Sequence, residues 1–312
     1  MRLFLLGKGA SVNHWLEDAA AAFAAEGHEV ALGLVRRPWL AARLESSLIA
    51  PIAASLRRRV ARLQPDMILA MSAFHVPKEI LEALSTLPRR PPIIGWVGDL
   101  FDLPARELAQ SYDLIGYTDS GLLARHEAQG LKTRAFYLPH AANPSGDWPM
   151  RATRSARMAF VANPTPRRRE IVAAIDQKIS LYGPGWRAAD RARHQIESHR
   201  ISTQTVRRIY GDHLAALNIH NERNVVCGLN QRNFDPLLAG AALITEDQPD
   251  LERCFDPGLE VLAWTTPESL NDHYARVLAD PHAAGIIAGR GRRRVLAEHT
   301  YGARLKSLAA LV

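Results

Sequence analysis

Polar residues that directly follow short apolar runs are the first place to look for chemistry. A buried parallel strand delivers the residue after it to the edge where ligands bind. In this 312-residue chain the first such run, Arg2 to Leu6, leads into Gly7-Lys8-Gly9-Ala10-Ser11-Val12-Asn13-His14. His14 titrates near neutral pH and is a candidate general base. Asp99, in Trp96-Val97-Gly98-Asp99, is the other candidate base, or a clamp for a ligand hydroxyl. His75 and His140 end runs too, with weaker claims. Asn163-Pro164-Thr165-Pro166-Arg167 follows a later run. Asn163, Thr165 and Arg167 form a candidate phosphate contact there, although Thr165 ahead of Pro166 is also a good helix N-cap. Tyr182-Gly183-Pro184-Gly185-Trp186 offers rings for stacking on a base, or equally core packing around a tight turn. His220 follows Leu217-Asn218-Ile219 and is a candidate for a ligand contact. The densest cluster is Gly228-Leu229-Asn230-Gln231-Arg232, followed by Asp235-Pro236. Arg232 suits a phosphate in fork geometry, and free N–H groups at Gly228 and Leu229 favour the same anion. A carboxylate at Asp235 also stabilises a helix start.

Alternating strands and helices must position these groups. Strands are expected at Arg2 to Leu6, Glu29 to Val35, Met67 to Met71, Pro92 to Val97, Asp113 to Tyr117 and Arg134 to Leu138. After a lapse around Asn143 to Arg157, a second set is expected at Arg157 to Ala162, Ile179 to Tyr182, Ala216 to Ile219, Ala241 to Thr245 and Glu260 to Trp264. Helical patterns lie between them. One covers Trp15 to Ala25, with Gly27 at its C-cap, and another covers Pro38 to Leu63, broken at Pro51. In the second half they fall at Thr165 to Ile175, Ser202 to Ala215, Leu229 to Ala239, Pro267 to Ala279, Pro281 to Glu298 and Tyr301 to Leu311. The pattern predicts an α/β chain of two Rossmann-like doubly wound domains facing a central cleft. The boundaries expected are 1–147, 148–298 and a closing helix, 299–312, packed back on the body.

Composition narrows the class. Hydrophobic residues make up 47% and charged residues 23%, which is globular. Cys227 and Cys254 form no disulfide framework and no metal spacing, which fits a reducing compartment. The run Leu3 to Leu6 is too short for a signal peptide and no stretch resembles a membrane span, so a cytoplasmic protein is expected. The net charge of +7 includes Arg57-Arg58-Arg59, Arg167-Arg168-Arg169 and Arg290-Gly291-Arg292-Arg293-Arg294. Aromatics do not interleave with these runs, which argues against nucleic acid. A solvated surface, an anionic ligand or peripheral contact with an acidic membrane remain. A dinucleotide fingerprint would place a third glycine at Val12, and Arg36-Arg37 stand where an acid would hold the ribose of NAD, so a dehydrogenase fits poorly.

The run from Leu217-Asn218-Ile219-His220 through Gly228-Leu229-Asn230-Gln231-Arg232-Asn233-Phe234-Asp235-Pro236-Leu237-Leu238-Ala239-Gly240 resembles the CgeB-like (spore-maturation-protein-like) glycosyltransferases. It continues through Ala241-Ala242-Leu243-Ile244-Thr245, Pro257-Gly258-Leu259-Glu260-Val261 and His299-Thr300-Tyr301. Those proteins are part of the wider group-1 transferase superfamily. The resemblance covers about a hundred residues; the first half matches only through Trp96 to Asp99. It implies a GT-B fold whose C-terminal domain holds a nucleotide-diphosphate sugar as substrate and whose N-terminal domain faces the acceptor. No cofactor and no metal are implied, because basic side chains and helix dipoles neutralise the departing diphosphate. The resemblance also implies a ribose contact for Asp235, which stands where the family has glutamate. Ala162 stands where members often carry glycine. A glycan, a lipid-linked saccharide, a protein or a small molecule each remains open as acceptor. An epimerase of the same fold and a non-catalytic nucleotide-sugar binding subunit are the alternatives.

Overall fold

The computed structural model describes residues 1–8, 14–35, 45–100, 109–187, 194–197 and 201–312, with the side chains of residues 14, 45–48 and 74 outside that description. The chain forms two compact units. One comprises Met1–Pro139, Arg223–Gly228 and Arg304–Val312; the other comprises His140–Glu222 and Leu229–Ala303.

The first unit is built on β1 (Arg2–Lys8), β2 (Glu29–Val35), β3 (Met67–Met71), β4 (Ile93–Val97), β5 (Leu114–Tyr117) and β6 (Arg134–Tyr137). They form one sheet in the order β2-β1-β3-β4-β5-β6, parallel throughout. All residues of β3, β4 and β5 are buried, as the apolar runs predict for strands covered on both faces. The edge strand β2 is only partly buried. Among the described helices are α1 (His14–Ala25), α2 (Glu45–Leu63), α3 (Lys78–Ser85) and α4 (Ser120–Ala128). Gly27 ends α1 with φ +84°, and the N–H groups of Gly27 and His28 return to Ala24 and Phe23. The break expected at Pro51 does not occur: α2 runs through it. Residues 38–44, expected to begin that helix, lie outside the described ones.

The second unit contains β7 (Ser155–Val161), β8 (Ser180–Tyr182), β9 (Gln195–Glu197), β10 (His213–Asn218), β11 (Ala242–Glu246) and β12 (Leu262–Trp264). Its sheet has the order β12-β11-β10-β7-β8-β9, again all parallel. Numbered within the unit this is 3-2-1-4-5-6, the doubly wound order of nucleotide-binding folds. Only β9 escapes the apolar pattern, because it is a three-residue edge strand with two exposed residues. The helices are α5 (Pro166–Ala173), α6 (Thr203–Asp212), a one-turn α7 (Asp235–Leu238), α8 (Pro267–Ala279) and α9 (Pro281–Glu298), while α10 (Tyr301–Ala309) starts here and belongs to the first unit from Arg304 onward. Where one helix was expected from Leu229 to Ala239, a 3-10 turn at Gln231–Asn233 precedes α7.

The second unit begins at His140, earlier than residue 148, because Ala142 already bonds to its far end. The Ala142 N–H donates to the His299 carbonyl (2.9 Å), and the Tyr301 N–H donates to the Ala142 carbonyl (3.2 Å). Residues 223–228 belong to the first unit because the buried Asp119 carboxylate binds them. It accepts from the N–H groups of Val226 (2.7 Å) and Cys227 (3.1 Å) while capping α4 through Gly121 and Leu122. Among the described residues no helix is long and apolar enough to cross a membrane.

Candidate functional site

In the second unit the strand order reverses between β7 and β10, and a doubly wound sheet binds ligands beyond the strand C-termini at that point. The segments leaving β7 and β10 carry Asn163 to Arg168 and Ile219 to Arg232. Arg168 is 5% exposed, and its guanidinium donates to the Ile219 carbonyl (2.9 Å) and the Asn163 carbonyl (2.9 Å), tying the two segments together. Burial, reinforced by the charge of Arg232, lowers its pKa to about 10.

A polar network lies beneath. The Asn218 amide donates to Asn233 Oδ1 (2.9 Å) and Thr245 Oγ1 (3.3 Å), and the Asn233 amide donates to Thr245 Oγ1 (2.9 Å). All three residues are fully buried, so the bonds fix one arrangement. Asn230 caps the 3-10 turn by accepting from the Arg232 N–H (2.9 Å), and Asn233 reciprocates by accepting from the Asn230 N–H (3.1 Å). The turn therefore holds Arg232 in place from both sides.

His220 is 1% exposed, not the surface histidine that a strand-end position suggests. Its Nε2 lies 3.1 Å from Asn233 Oδ1, and its backbone N–H donates to Glu246 Oε2 (3.0 Å). Burial outweighs the nearby carboxylate and holds its pKa below the ordinary value, so the ring is neutral at pH 7. Glu246, at the end of β11, receives the fork of Arg167 on both oxygens. Burial pushes its pKa up, but the bonds to His220 and Arg167 prevail and bring it down to about 2.

Arg232 differs from these neighbours. It is half-buried, and its guanidinium makes no hydrogen bond or ion pair among the described residues; its Nε is buried without a partner. Its charge acts on Arg168, on His220 and on the buried hydroxyl of Tyr210. Asp235 acts on the same hydroxyl, which places it nearby, and its Oδ1 accepts from the Gln231 amide (3.3 Å).

A hollow of about 580 Å³ opens beside this cluster, lined by Asn163, Pro164, Thr165, Arg169, Gly185 and Arg187 among others. Asn163 is exposed there. Thr165 caps α5 by accepting from the Arg168 N–H (3.2 Å). Gly183 has φ +126°, and a Cβ would sit 2.8 Å from the Ala162 carbonyl oxygen, so only glycine fits.

Other sequence candidates are engaged in packing. Tyr182 is 6% exposed, packs with Ala159 and Ile209, and its hydroxyl lies 3.3 Å from His213 Nε2. Trp186 is 5% exposed and donates to the Ala162 carbonyl (3.0 Å). Neither ring offers an open face for a base. Leu229 is in the core. Gly228 belongs to the first unit, where a Cβ would meet Asp119 at 2.7 Å. The backbone of His14 opens α1, but its side chain lies outside the described ones, as do residues 9–13 before it. Asp99 is half-buried just after β4.

Sequence reasoning did not single out Arg168, Glu246 or Asp119. Position was the available signal for two of them, because Glu246 and Asp119 follow the last apolar residues of β11 and β5. Arg168 looked like one member of a solvated triplet. Among the described residues no three His, Cys, Asp or Glu side chains cluster as a metal site.

Residues 167–310 match a family model described as glycosyl transferase-like. No protein with a curated description matches the chain. Among solved structures, HepE of Anabaena in complex with UDP is similar over 100% of this chain and 99% of its own, with TM-score 0.68 and 9% identity. Sucrose-phosphate synthase from Thermosynechococcus elongatus aligns over 99% of this chain and 98% of its own, with TM-score 0.67 and 15% identity. AviGT4, a glycosyltransferase involved in avilamycin A biosynthesis, aligns over 99% and 96%, with TM-score 0.65 and 12% identity. Two parallel six-stranded α/β sheets, similar along the whole chain to these structures, give this protein the GT-B fold.

Proposed function

We propose that this protein is a glycosyltransferase that takes a sugar from a nucleotide-diphosphate donor held by the second unit. One observation carries the reading: Arg232 is a half-buried cation without a partner among the described residues, beside a second buried cation, at the switch point of a doubly wound sheet. Two like charges held together in a partly dry site favour an anion between or above them. The diphosphate of a nucleotide-sugar supplies that anion. Its charge grows as the glycosidic bond breaks, so a fixed guanidinium stabilises the transition state more than the ground state. Arg167, neutralised by Glu246, orients the neighbouring segment, and Asp235 is the ribose contact. Asp99 and His14 are the candidate bases for the acceptor hydroxyl. No metal is required in this scheme. The motif run from Leu217 to Tyr301 supports the CgeB-like branch; a role in cell-envelope or surface glycan or glycoprotein synthesis, and a cytoplasmic location, are parts of the same proposal. The glycosyl transferase-like match over residues 167–310 supports the same reaction class.

HepE is held in complexes with UDP and UDP-glucose, so uridine donors lead the test. A panel of nucleotide-sugars is screened by thermal shift and by release of the nucleoside diphosphate. One donor should raise the melting temperature of the wild type and lose that effect in Arg232→Ala. Equal shifts in wild type and variant would remove Arg232 from the site. Tight binding without turnover, with acceptors supplied, would favour a binding subunit.

A further inference from the structure

A second basic cavity lies at the other edge of the same sheet, where the strands of the second unit begin. It measures about 810 Å³ and is bounded by Arg154 ahead of β7, Leu214 in β10, Gly240 ahead of β11, and α9. Three arginines, Arg154, Arg292 and Arg293, line it, and no Asp or Glu does. Asp212, the acid that acts on Arg154, is paired with Arg151 (3.1 Å), and Asp280 caps α9 through the Ala283 N–H (2.9 Å). The cavity's positive charge therefore lacks a counter-ion in its own wall.

Arg154 and Arg292 are oriented by the backbone. Arg154 donates to the Ala239 (2.9 Å) and Gly240 carbonyls, and Arg292 Nε donates to the Leu238 carbonyl (3.1 Å). The terminal nitrogens of Arg292 and the whole guanidinium of Arg293 make no hydrogen bond or ion pair among the described residues. The open nitrogens of Arg292, held at its Nε, and the exposed guanidinium of Arg293 can take the oxygens of a phosphate.

The wall beside them is thinned without a packing reason. Gly291, on the inner face of α9, has one: a Cβ there would sit 2.5 Å from the Glu260 carbonyl oxygen. Gly285 has none, since a Cβ would meet nothing within 4 Å, and at Gly289 only Arg293 Nη1 comes near, at 3.8 Å. Glycine inside a helix lowers its stability relative to alanine, so two such residues facing an open cavity leave room for an occupant. Met150, Leu214 and Pro281 supply apolar surface around that room.

We propose that this cavity binds an organic phosphate, its head on Arg292 and Arg293 and its apolar body over Gly285 and Gly289. The proposal does not depend on the transferase reading, because the cavity lies at the strand beginnings, away from Arg232. Hexyl phosphate and inorganic phosphate are titrated calorimetrically into the Arg232→Ala protein, in which the donor site is weakened. Hexyl phosphate should bind one-to-one and about tenfold more tightly than inorganic phosphate. Adding Arg293→Ala should weaken it about tenfold, and adding Gly285→Leu should abolish binding. Neither variant should lower the melting temperature, since Arg293 bonds to nothing described and a side chain at 285 meets nothing within 4 Å. Sedimentation with phosphatidylcholine vesicles, with and without phosphatidic acid, identifies the source. Capture by the anionic vesicles, lost in the same two variants, assigns the site to a lipid headgroup. Binding of hexyl phosphate without vesicle capture assigns it to a soluble ligand. Failure of both probes to bind, or binding that survives Gly285→Leu or is unchanged by Arg293→Ala, overturns the proposal.

Discussion

The two central side chains of the candidate donor site behave oppositely in the empty protein. The Arg232 guanidinium makes no hydrogen bond among the described residues and adds repulsion with buried Arg168. Arg232→Ala should therefore leave the melting temperature unchanged or raised while weakening donor binding about tenfold to a hundredfold, measured by titration of the donor that the wild type binds. Glu246 is the reverse case. Its folded pKa of about 2 lies below the ordinary 4.5, so its stabilising contribution is complete above pH 4.5 and is lost as pH falls towards 2. His220, neutral and depressed below 6.5, acts in the same direction from 6.5 downward. Denaturant titrations across that range should show stability falling with acid. Glu246→Gln should remove up to roughly 3 kcal/mol at pH 7 and flatten the slope between pH 4.5 and 2. A wild-type slope retained in the variant would show that other carboxylates govern the acid limb.

At the scale of elements, the glycines of α9 provide a contrast within one helix. Gly291→Ala should destabilise the protein by about 1–3 kcal/mol, because the added methyl meets backbone. Gly285→Ala should stabilise it by about 0.5–1 kcal/mol, because it meets nothing. Thermal melts of the two single variants decide this by sign. Asp119 links two segments distant in sequence through four N–H groups, and Asp119→Ala should cost roughly 2–4 kcal/mol by chemical denaturation. The strands were legible in the sequence because a parallel strand covered on both faces is a short apolar run, and β3, β4 and β5 are such runs. β9 was not legible, because an exposed edge strand of three residues carries no such pattern. The positions of His220 and Arg232 were legible from the residues that flank them. The pairing of Arg167 with Glu246 was not, since it joins residues 79 apart in sequence. Tyr182 and Trp186 show a related limit: an aromatic after a strand reads the same whether it faces a ligand or the core.

At the scale of the molecule, neither unit is a single stretch of chain. The first takes Arg223–Gly228 through Asp119 and takes Arg304–Val312, where Arg304 donates to the Pro139 carbonyl (2.8 Å) and Leu305 and Leu308 are buried. Removing residues 304–312 should therefore lower protection against hydrogen exchange in β1 to β6 and leave β7 to β12 nearly as protected as before. Loss confined to the second sheet would contradict that assignment.

This interleaving has a consequence for synthesis. A ribosome delivers residues 1–139 first, a stretch that holds all six strands of the first sheet. That unit nevertheless lacks the segment that satisfies Asp119 until residue 228 has emerged, and it lacks its closing helix until residues 304–312 have emerged. The usual order, in which the N-terminal domain is finished before the next begins, does not hold here. The first unit to start folding is among the last to be complete, and a nascent chain halted before residue 304 carries an unfinished amino-terminal half however long it waits.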